Sequence, residues 1–313
     1  MPDRYAVVIG EALVDMLENE LDGDVIYRPA IGGAPLNVAV GLARLGAPVR
    51  FAGSVGNDLW GERIRAFLRV SGVDDGHVVV AGVPTTLAVA TFSGSEPDFR
   101  FYGEPPSYGF LSPDDLDVAT VEGAALLYCG SIALLCEPVL AAARQAWAVP
   151  GPVRVFDPNV RARLLTDVPA YRAVVDDFAA TAALVKISAA DAAVLYGDAA
   201  PRAVAEHLLG LGAGAVVVTR GGDGALLAAA GEVVELAVPR ARAVDATGAG
   251  DATMAGLLYG LFSQPVPADI GAWLAITRFA MTVAAIVVES PGGATAMPRR
   301  EQVLERLAEG LSG

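Results

Sequence analysis

The sequence predicts an α/β fold: a mostly parallel central sheet covered by helices on both faces, with a small β-sheet lid. Three observations carry this. Short apolar runs alternate with helical patterns, most regularly after residue 124, as parallel strands joined by crossover helices do. Runs such as A-V-V-I and A-V-V-V-T lack polar alternation, which marks strands buried on both faces. Residues 11–30 mix apolar with charged positions, and residues 85–102 are rich in threonine and phenylalanine, the pattern of strands with one open face.

In chain order, Y-A-V-V-I-G is the first buried strand, and L-V-D-M-L and D-V-I-Y-R-P follow before I-G-G-A-P-L-N. A helix spans 35–45, with proline in its first turn and Gly46 past its end. Residues 49–53 form a strand and 61–71 a helix. T-T-L-A-V-A-T-F and D-F-R-F-Y form a hairpin turning at S-G-S-E-P. With residues 11–30 they make a small antiparallel sheet. The division is a core of 1–10, 31–84 and 106–313, and a lid of 11–30 and 85–105.

Beyond residue 124 come A-A-L-L-Y-C-G, a helix from near Glu137, V-R-V-F-D-P-N, a helix from Pro169 and A-L-V-K-I-S. Helices to Leu211, the strand A-V-V-V-T-R-G, a hairpin to Val238 and two or three closing helices complete the chain. Ligands of such sheets bind beyond the C-terminal strand ends, where Asp157, Ser188, Thr219 and Asp251 gather.

Composition narrows the function classes. The chain has 313 residues, 54% hydrophobic and 19% charged, which describes a globular protein with a sizeable core. A formal charge of −14 argues against nucleic acid or an anionic membrane as partner. The apolar run 279–288 covers half of what a membrane span needs. The N-terminus lacks a signal-peptide pattern, so the expected location is cytoplasmic. Cys129 and Cys136 read as buried free thiols, and His77 and His207 as structural or exposed. Lys186 is the chain's single lysine, and a lysine-specific role is suspected there.

The stretch V-D-A-T-G-A-G-D, 244–251, carries the most chemistry. Its glycines let successive N–H groups point at one spot, and the following helix adds its positive end. An anion is stabilised there. A carboxylate at that spot repels a bound phosphate, but it can take a proton from a hydroxyl attacking phosphorus. On spacing alone Asp251 reads equally as such a base or as an ordinary first-turn carboxylate. A Walker loop is excluded because no lysine follows the glycines, and no G-x-G-x-x-G follows the first strand.

Nine stretches in order are G-E-A-L-V-D, I-G-G-A-P-L-N-V-A-V-G-L-A-R-L-G, G-S-V-G-N-D-L-W-G, G-S-I-A-L, F-D-P-N-V-R, V-K-I-S-A-A-D, V-T-R-G-G-D-G-A, V-D-A-T-G-A-G-D and P-G-G-A-T-A-M-P. Through them the whole chain resembles the ribokinase-like (PfkB) carbohydrate kinases, the fructokinases most of all. The resemblance implies a ribokinase-like three-layer sandwich and ATP-dependent phosphorylation of a sugar hydroxyl. Asp251 would be the base, an ordinary carboxylate sufficing, with the N–H groups of Gly248, Ala249 and Gly250 as the anion hole. Asp15, Gly32, Gly33, Asn37 and Arg161 would hold the sugar. Lys186, Ser188, Thr219, Gly221 and Gly224 would hold ATP. Asp191 would organise Mg²⁺ through water, and Asp245 and Thr247 a monovalent cation such as K⁺. Homodimerisation through the lid is common among the relatives.

The match departs in the lid, where Gly103 and Gly109 stand in place of an arginine and an aspartate. Arg100 is no direct substitute, because alternation puts residues 100 and 103 on opposite faces. Ala246 and Thr253 replace a threonine and a phenylalanine common around G-A-G-D. The departures touch the sugar pocket and not the phosphoryl-transfer machinery, so they bear on the acceptor alone, for which the resemblance puts fructose first. 2-Keto-3-deoxygluconate comes next, then a nucleoside, and a catalytically silent sugar or nucleotide binder is the reading from another class.

Overall fold

The computed structural model describes residues 4–93 and 96–310. Its strands and helices follow in chain order as β1 (Ala6–Ile9), β2 (Leu13–Leu21), β3 (Asp24–Gly32), α1 (Ala34–Arg44), β4 (Val49–Gly56), α2 (Leu59–Val70), β5 (Val73–Ala81), β6 (Leu87–Ser93) and β7 (Glu96–Tyr102). Then come α3 (Val118–Glu122), β8 (Leu126–Gly130), α4 (Glu137–Ala148), β9 (Val153–Asp157), α5 (Val168–Ala179), β10 (Leu184–Ser188), α6 (Ala189–Tyr196) and α7 (Pro201–Leu211). The chain ends with β11 (Ala215–Thr219), β12 (Ala225–Ala229), β13 (Glu232–Leu236), α8 (Ala249–Ser263), α9 (Ile270–Val287) and α10 (Arg300–Gly310).

Nine strands form one sheet in the order β13-β12-β11-β10-β9-β8-β1-β4-β5. All pairs are parallel except β11 with β12 and β12 with β13. The unbroken apolar runs are explained by two cores. On one face α1, α2, α8 and α9 cover Val8, Phe51, Tyr128 and Val155. On the other, α4 to α7 cover Ile9, Leu127, Cys129 and Phe156. Helix α9 has the length and hydropathy of a membrane span, and half of it is buried inside the protein.

Strand β5 is not among the strands expected from sequence. D-D-G interrupts its alternation, and it pairs with β4 through a register shift between Arg50 and Ala52 that accommodates one extra residue. Asp75, buried at this irregularity, is held by Arg65 and Arg69 at 2.8 Å each. Strand β4 also continues to Gly56, past residue 53.

The second sheet has the order β3-β2-β6-β7. Its two hairpins are antiparallel, but β2 and β6 pair in parallel, which corrects the expected all-antiparallel sheet. Both hairpins leave the large sheet side by side in the same direction, so their first strands must run together. The turn expected at S-G-S-E-P centres on residues 94 and 95, outside the described residues. Register fixes the inner row: Asp15 pairs with Ala88 and Ala88 with Phe101, while Leu17, Ala90 and Phe99 form the next row. Arg100, paired with Val89, lies on the other face, as alternation requires.

Candidate active site

The polar ends of the parallel strands and the start of α8 frame two cavities, one on each side of the first turn of α8. The smaller, about 90 Å³, is lined by Glu11, Asp15, Asn37, Ser131, Arg161 and Asp251, with Gly33, Thr247, Gly248, Phe99 and Phe101 completing its wall. The larger, about 300 Å³, is lined by Thr219, Gly221, Gly224, Ala249 and Gly250 together with apolar residues.

Asp251 sits in the first turn of α8, where burial pushes its carboxyl up to about 6. The Asn37 amide donates to its Oδ2 at 2.8 Å, which partly opposes the shift. Asn37 is placed by α1, whose first turn carries Pro35. Its own Oδ1 is buried without a partner among the described residues.

Gly248 caps α8 at φ 79, a left-handed conformation that side chains other than glycine's seldom adopt. A Cβ there would also lie 2.6 Å from the Cα of Gly293. The three N–H groups expected to form an anion hole differ in their partners. The N–H of Ala249 donates to the Ala246 carbonyl at 3.2 Å, whereas Gly248 and Gly250 have no backbone N–H partner among the described residues. The loop before it is tied by Asp245, whose oxygens accept from Thr247 N at 2.8 Å and Gly292 N at 3.1 Å. Burial would raise this carboxyl, but these bonds outweigh it and hold the group below its ordinary range.

Lys186 lies beneath the same turn. Its Nζ donates to Asp157 Oδ2 at 2.8 Å, both side chains being buried. A Cβ on Gly250 would stand 3.3 Å from that ammonium. Burial pulls the ammonium down, but Asp157 and Asp191 more than offset it and keep it charged. Ser188 and Asp191 form a capping box at α6: Ser188 Oγ accepts from Asp191 N at 3.0 Å, and Asp191 Oδ2 from Ser188 N at 3.3 Å. Asp191 Oδ1 takes Val160 N at 2.9 Å, pinning the loop that carries Arg161. Neither residue lines either cavity.

In the smaller cavity burial pushes Asp15 up to about 7, although Arg161 opposes it. A Cβ on Gly32 would overlap the Asp15 carboxylate, so this glycine makes room for it rather than lining the cavity. Arg161 is exposed at the rim, its Nη1 donating to Asn159 Oδ1 at 2.8 Å. It is the only basic side chain lining the cavity among the described residues.

Gly103 has φ 116, a conformation in which arginine would be strained, and a Cβ on Gly109 would lie 2.9 Å from Cys136 Sγ. The two lid departures are thus built into the local backbone and packing.

Sequence reasoning missed Glu11 and Ser131, both inside motifs it had marked. Burial pushes the Glu11 carboxyl up to about 7, partly opposed by the Ser131 hydroxyl. It also missed the apolar wall of the larger cavity, from Val238, Pro239, Ala241 and Ala243 to Met281, Ala285 and Val288 on and after α9. An isolated charge leaving a buried strand was the available signal for Glu11. The apolar wall carries none.

A model described as pfkB family carbohydrate kinase matches residues 3–300. The chain is 35% identical over 306 residues to the fructokinase of Klebsiella pneumoniae, covering 96% of this chain and 98% of that one. The fructokinase of Xylella fastidiosa, solved with bound ATP, superposes with a TM-score of 0.89 at 28% identity, covering 98% and 99% of the two chains. That of Vibrio cholerae O395, solved with fructose, ADP and calcium ion, gives 0.87 at 27% identity over 97% and 99%. These neighbours share the ribokinase-like fold expected from the sequence.

Proposed function

The chain belongs to the pfkB family of carbohydrate kinases and is an ATP-dependent sugar kinase, and from that premise we propose that its acceptor is fructose, phosphorylated at the 6-hydroxyl. The observation that carries the choice is the charge of the smaller cavity: Glu11, Asp15 and Asp251 face a single basic side chain, Arg161. A neutral polyol can give its hydroxyl hydrogens to Asp15 and Asp251. A sugar acid such as 2-keto-3-deoxygluconate would add its carboxylate to this acidic cluster with no second cation to meet it.

In this reading Asp15 holds hydroxyls of the sugar, and Gly33, Asn37 and Arg161 complete its seat. Asp251 takes the proton of the attacking hydroxyl. Asn37 fixes one of its oxygens, leaving the other toward the acceptor, and a base near pKa 6 is better matched to neutral pH than an ordinary aspartate. The free N–H groups at Gly248 and Gly250, with Lys186 beneath, stabilise charge on the transferring phosphoryl group. ATP lies in the larger cavity over Thr219, Gly221 and Gly224, its base against the apolar wall.

The protein offers no group of three or more His, Cys, Asp or Glu able to hold a metal among the described residues. In this reading Mg²⁺ would be carried by the nucleotide phosphates and its own waters. Asp191, with both oxygens already accepting N–H bonds, would act only through that water shell. A K⁺ beside Asp245 and Thr247 would reinforce the link to Gly292.

The test is ADP release with fructose, 2-keto-3-deoxygluconate and nucleosides as acceptors. The same assay is run without Mg²⁺ and with K⁺ replaced by tetramethylammonium. Turnover is expected with fructose, falling when either ion is withheld. A clear preference for the sugar acid would overturn the charge argument.

Two further outcomes follow from the same reading. Asp251 must be ionised to take a proton, and Asp15 accepts with both oxygens only when ionised, so kcat/KM for the sugar rises with pH as they lose their protons. With the two carboxyls raised to about 7 and about 6, the acid limb is expected between pH 6 and 7. Unshifted carboxyls, at about pH 4, would leave the profile flat down to pH 5. Val25, Tyr27 and Tyr102 expose 65, 39 and 55% of their surface on one face of the lid, and we assign this face to a second copy of the chain. Light scattering at micromolar concentration should give twice 32.0 kDa, and a monomer mass removes the assignment.

A further inference from the structure

Glu11 and Ser131 line the sugar cavity, and neither has a part in the transfer described above. Ser131 adopts φ 68, ψ −166, a region of backbone space that is essentially glycine's. Every polar group of the residue is committed. Its N–H donates to the Asp157 carbonyl at 3.1 Å, and its carbonyl accepts from Leu134 N at 3.2 Å and Tyr171 OH at 3.4 Å. Its hydroxyl donates to Glu11 Oε1 at 2.6 Å.

Glu11 is braced in turn. Oε1 also accepts from Ala34 N at 3.2 Å, at the start of the helix bearing Asn37, and Oε2 from Ala133 N at 3.3 Å. Strain of this kind persists only where the surroundings over-determine it, and it concentrates at functional sites. A glycine would relieve it, yet the chain carries a hydroxyl here. Because that hydroxyl spends its one hydrogen on Glu11, only its lone pairs are left for a ligand.

We propose that Ser131, held in its strained conformation by Glu11, is a specificity-determining contact whose Oγ accepts a hydrogen bond from a hydroxyl of the acceptor sugar. The proposal rests on the reading of the smaller cavity as the sugar site. It requires the ligand to offer a donor at that point, so a sugar deoxygenated there is a poor acceptor.

Ser131→Gly and Ser131→Ala are compared with the wild type by thermal unfolding and by the KM values for fructose and ATP. Ser131→Gly releases the strain, so its Tm is expected at or above that of the wild type. Ser131→Ala keeps the strain and loses the bond, so its Tm falls. Both should raise the fructose KM about tenfold, the loss of one hydrogen bond beside a charged group, with the ATP KM within about twofold. Glu11→Gln, which keeps the shape but perturbs the hydroxyl's orientation, should raise the fructose KM in the same selective way.

An unchanged fructose KM in Ser131→Gly, or a KM that follows Tm across the variants, makes the residue structural and overturns the proposal. If the wild type uses another acceptor, the reading for fructose fails alone and the same comparison is made with that acceptor. Absence of turnover with every acceptor overturns both.

Discussion

Asp251→Asn is expected to lower kcat by about 10²–10⁴, the usual contribution of a positioned general base. The replacement is nearly isosteric, and its amide oxygen can still accept from Asn37, which now donates to Asp251 Oδ2 at 2.8 Å. The fold and the nucleotide cavity, whose lining does not include residue 251, should therefore be preserved. The check is single-turnover phosphorylation alongside ATP titration: chemistry falls while the ATP Kd stays within about twofold. A variant with turnover within tenfold of the wild type would remove Asp251 as the base. It would leave the anion hole, with its cap at Gly248, as the main catalytic device.

Lys186→Met should affect stability and chemistry together. The ammonium and the Asp157 carboxylate are 4% and 1% exposed and 2.8 Å apart. Removing one partner leaves a buried carboxylate unpaired, which costs about 3–5 kcal/mol. The lost cation also lies under Gly250, at the turn where the phosphoryl group is placed. Urea unfolding should register the first effect and kcat the second. Asp157→Asn combined with Lys186→Met should recover much of the stability but not kcat, because it removes the orphaned charge without restoring the cation. A loss below about 1 kcal/mol in the single variant would mean that water reaches the pair. Full recovery of kcat in the double variant would remove Lys186 from the chemistry. Arginine is no substitute at this position, since a planar, longer group replaces a compact point charge in a closed space.

The motif-bearing residues were legible because their types follow from local demands: a capping glycine at 248, a carboxylate in the first turn at 251, a proline at the start of α1. Strand β5 was not, since D-D-G breaks its period and an edge strand needs less apolar surface. The parallel pairing of β2 with β6 depends on where two distant hairpins leave the body, which no local pattern records. Glu11, beside the legible Asp15, escaped notice because its role arises from contacts with residues 34, 131 and 133. The shift of Asp251 to about 6 is likewise a product of burial and not of sequence neighbours. Ala249 shows the converse, a residue in the right motif whose N–H turns to Ala246.

The bond between Asn37 and Asp251 joins residues 214 positions apart, and Glu11 meets Ser131 across 120. A chain made from its N-terminus emerges at about 5–20 residues per second. Helix α1 therefore waits on the order of ten seconds or more for the helix that completes the site. For the first part of that interval, until Leu126–Gly130 emerges, β1 has β4 but not β8 as a neighbour. The nascent protein can shelter part of its N-terminal half early, but phosphoryl transfer begins only when the last third of the chain has docked.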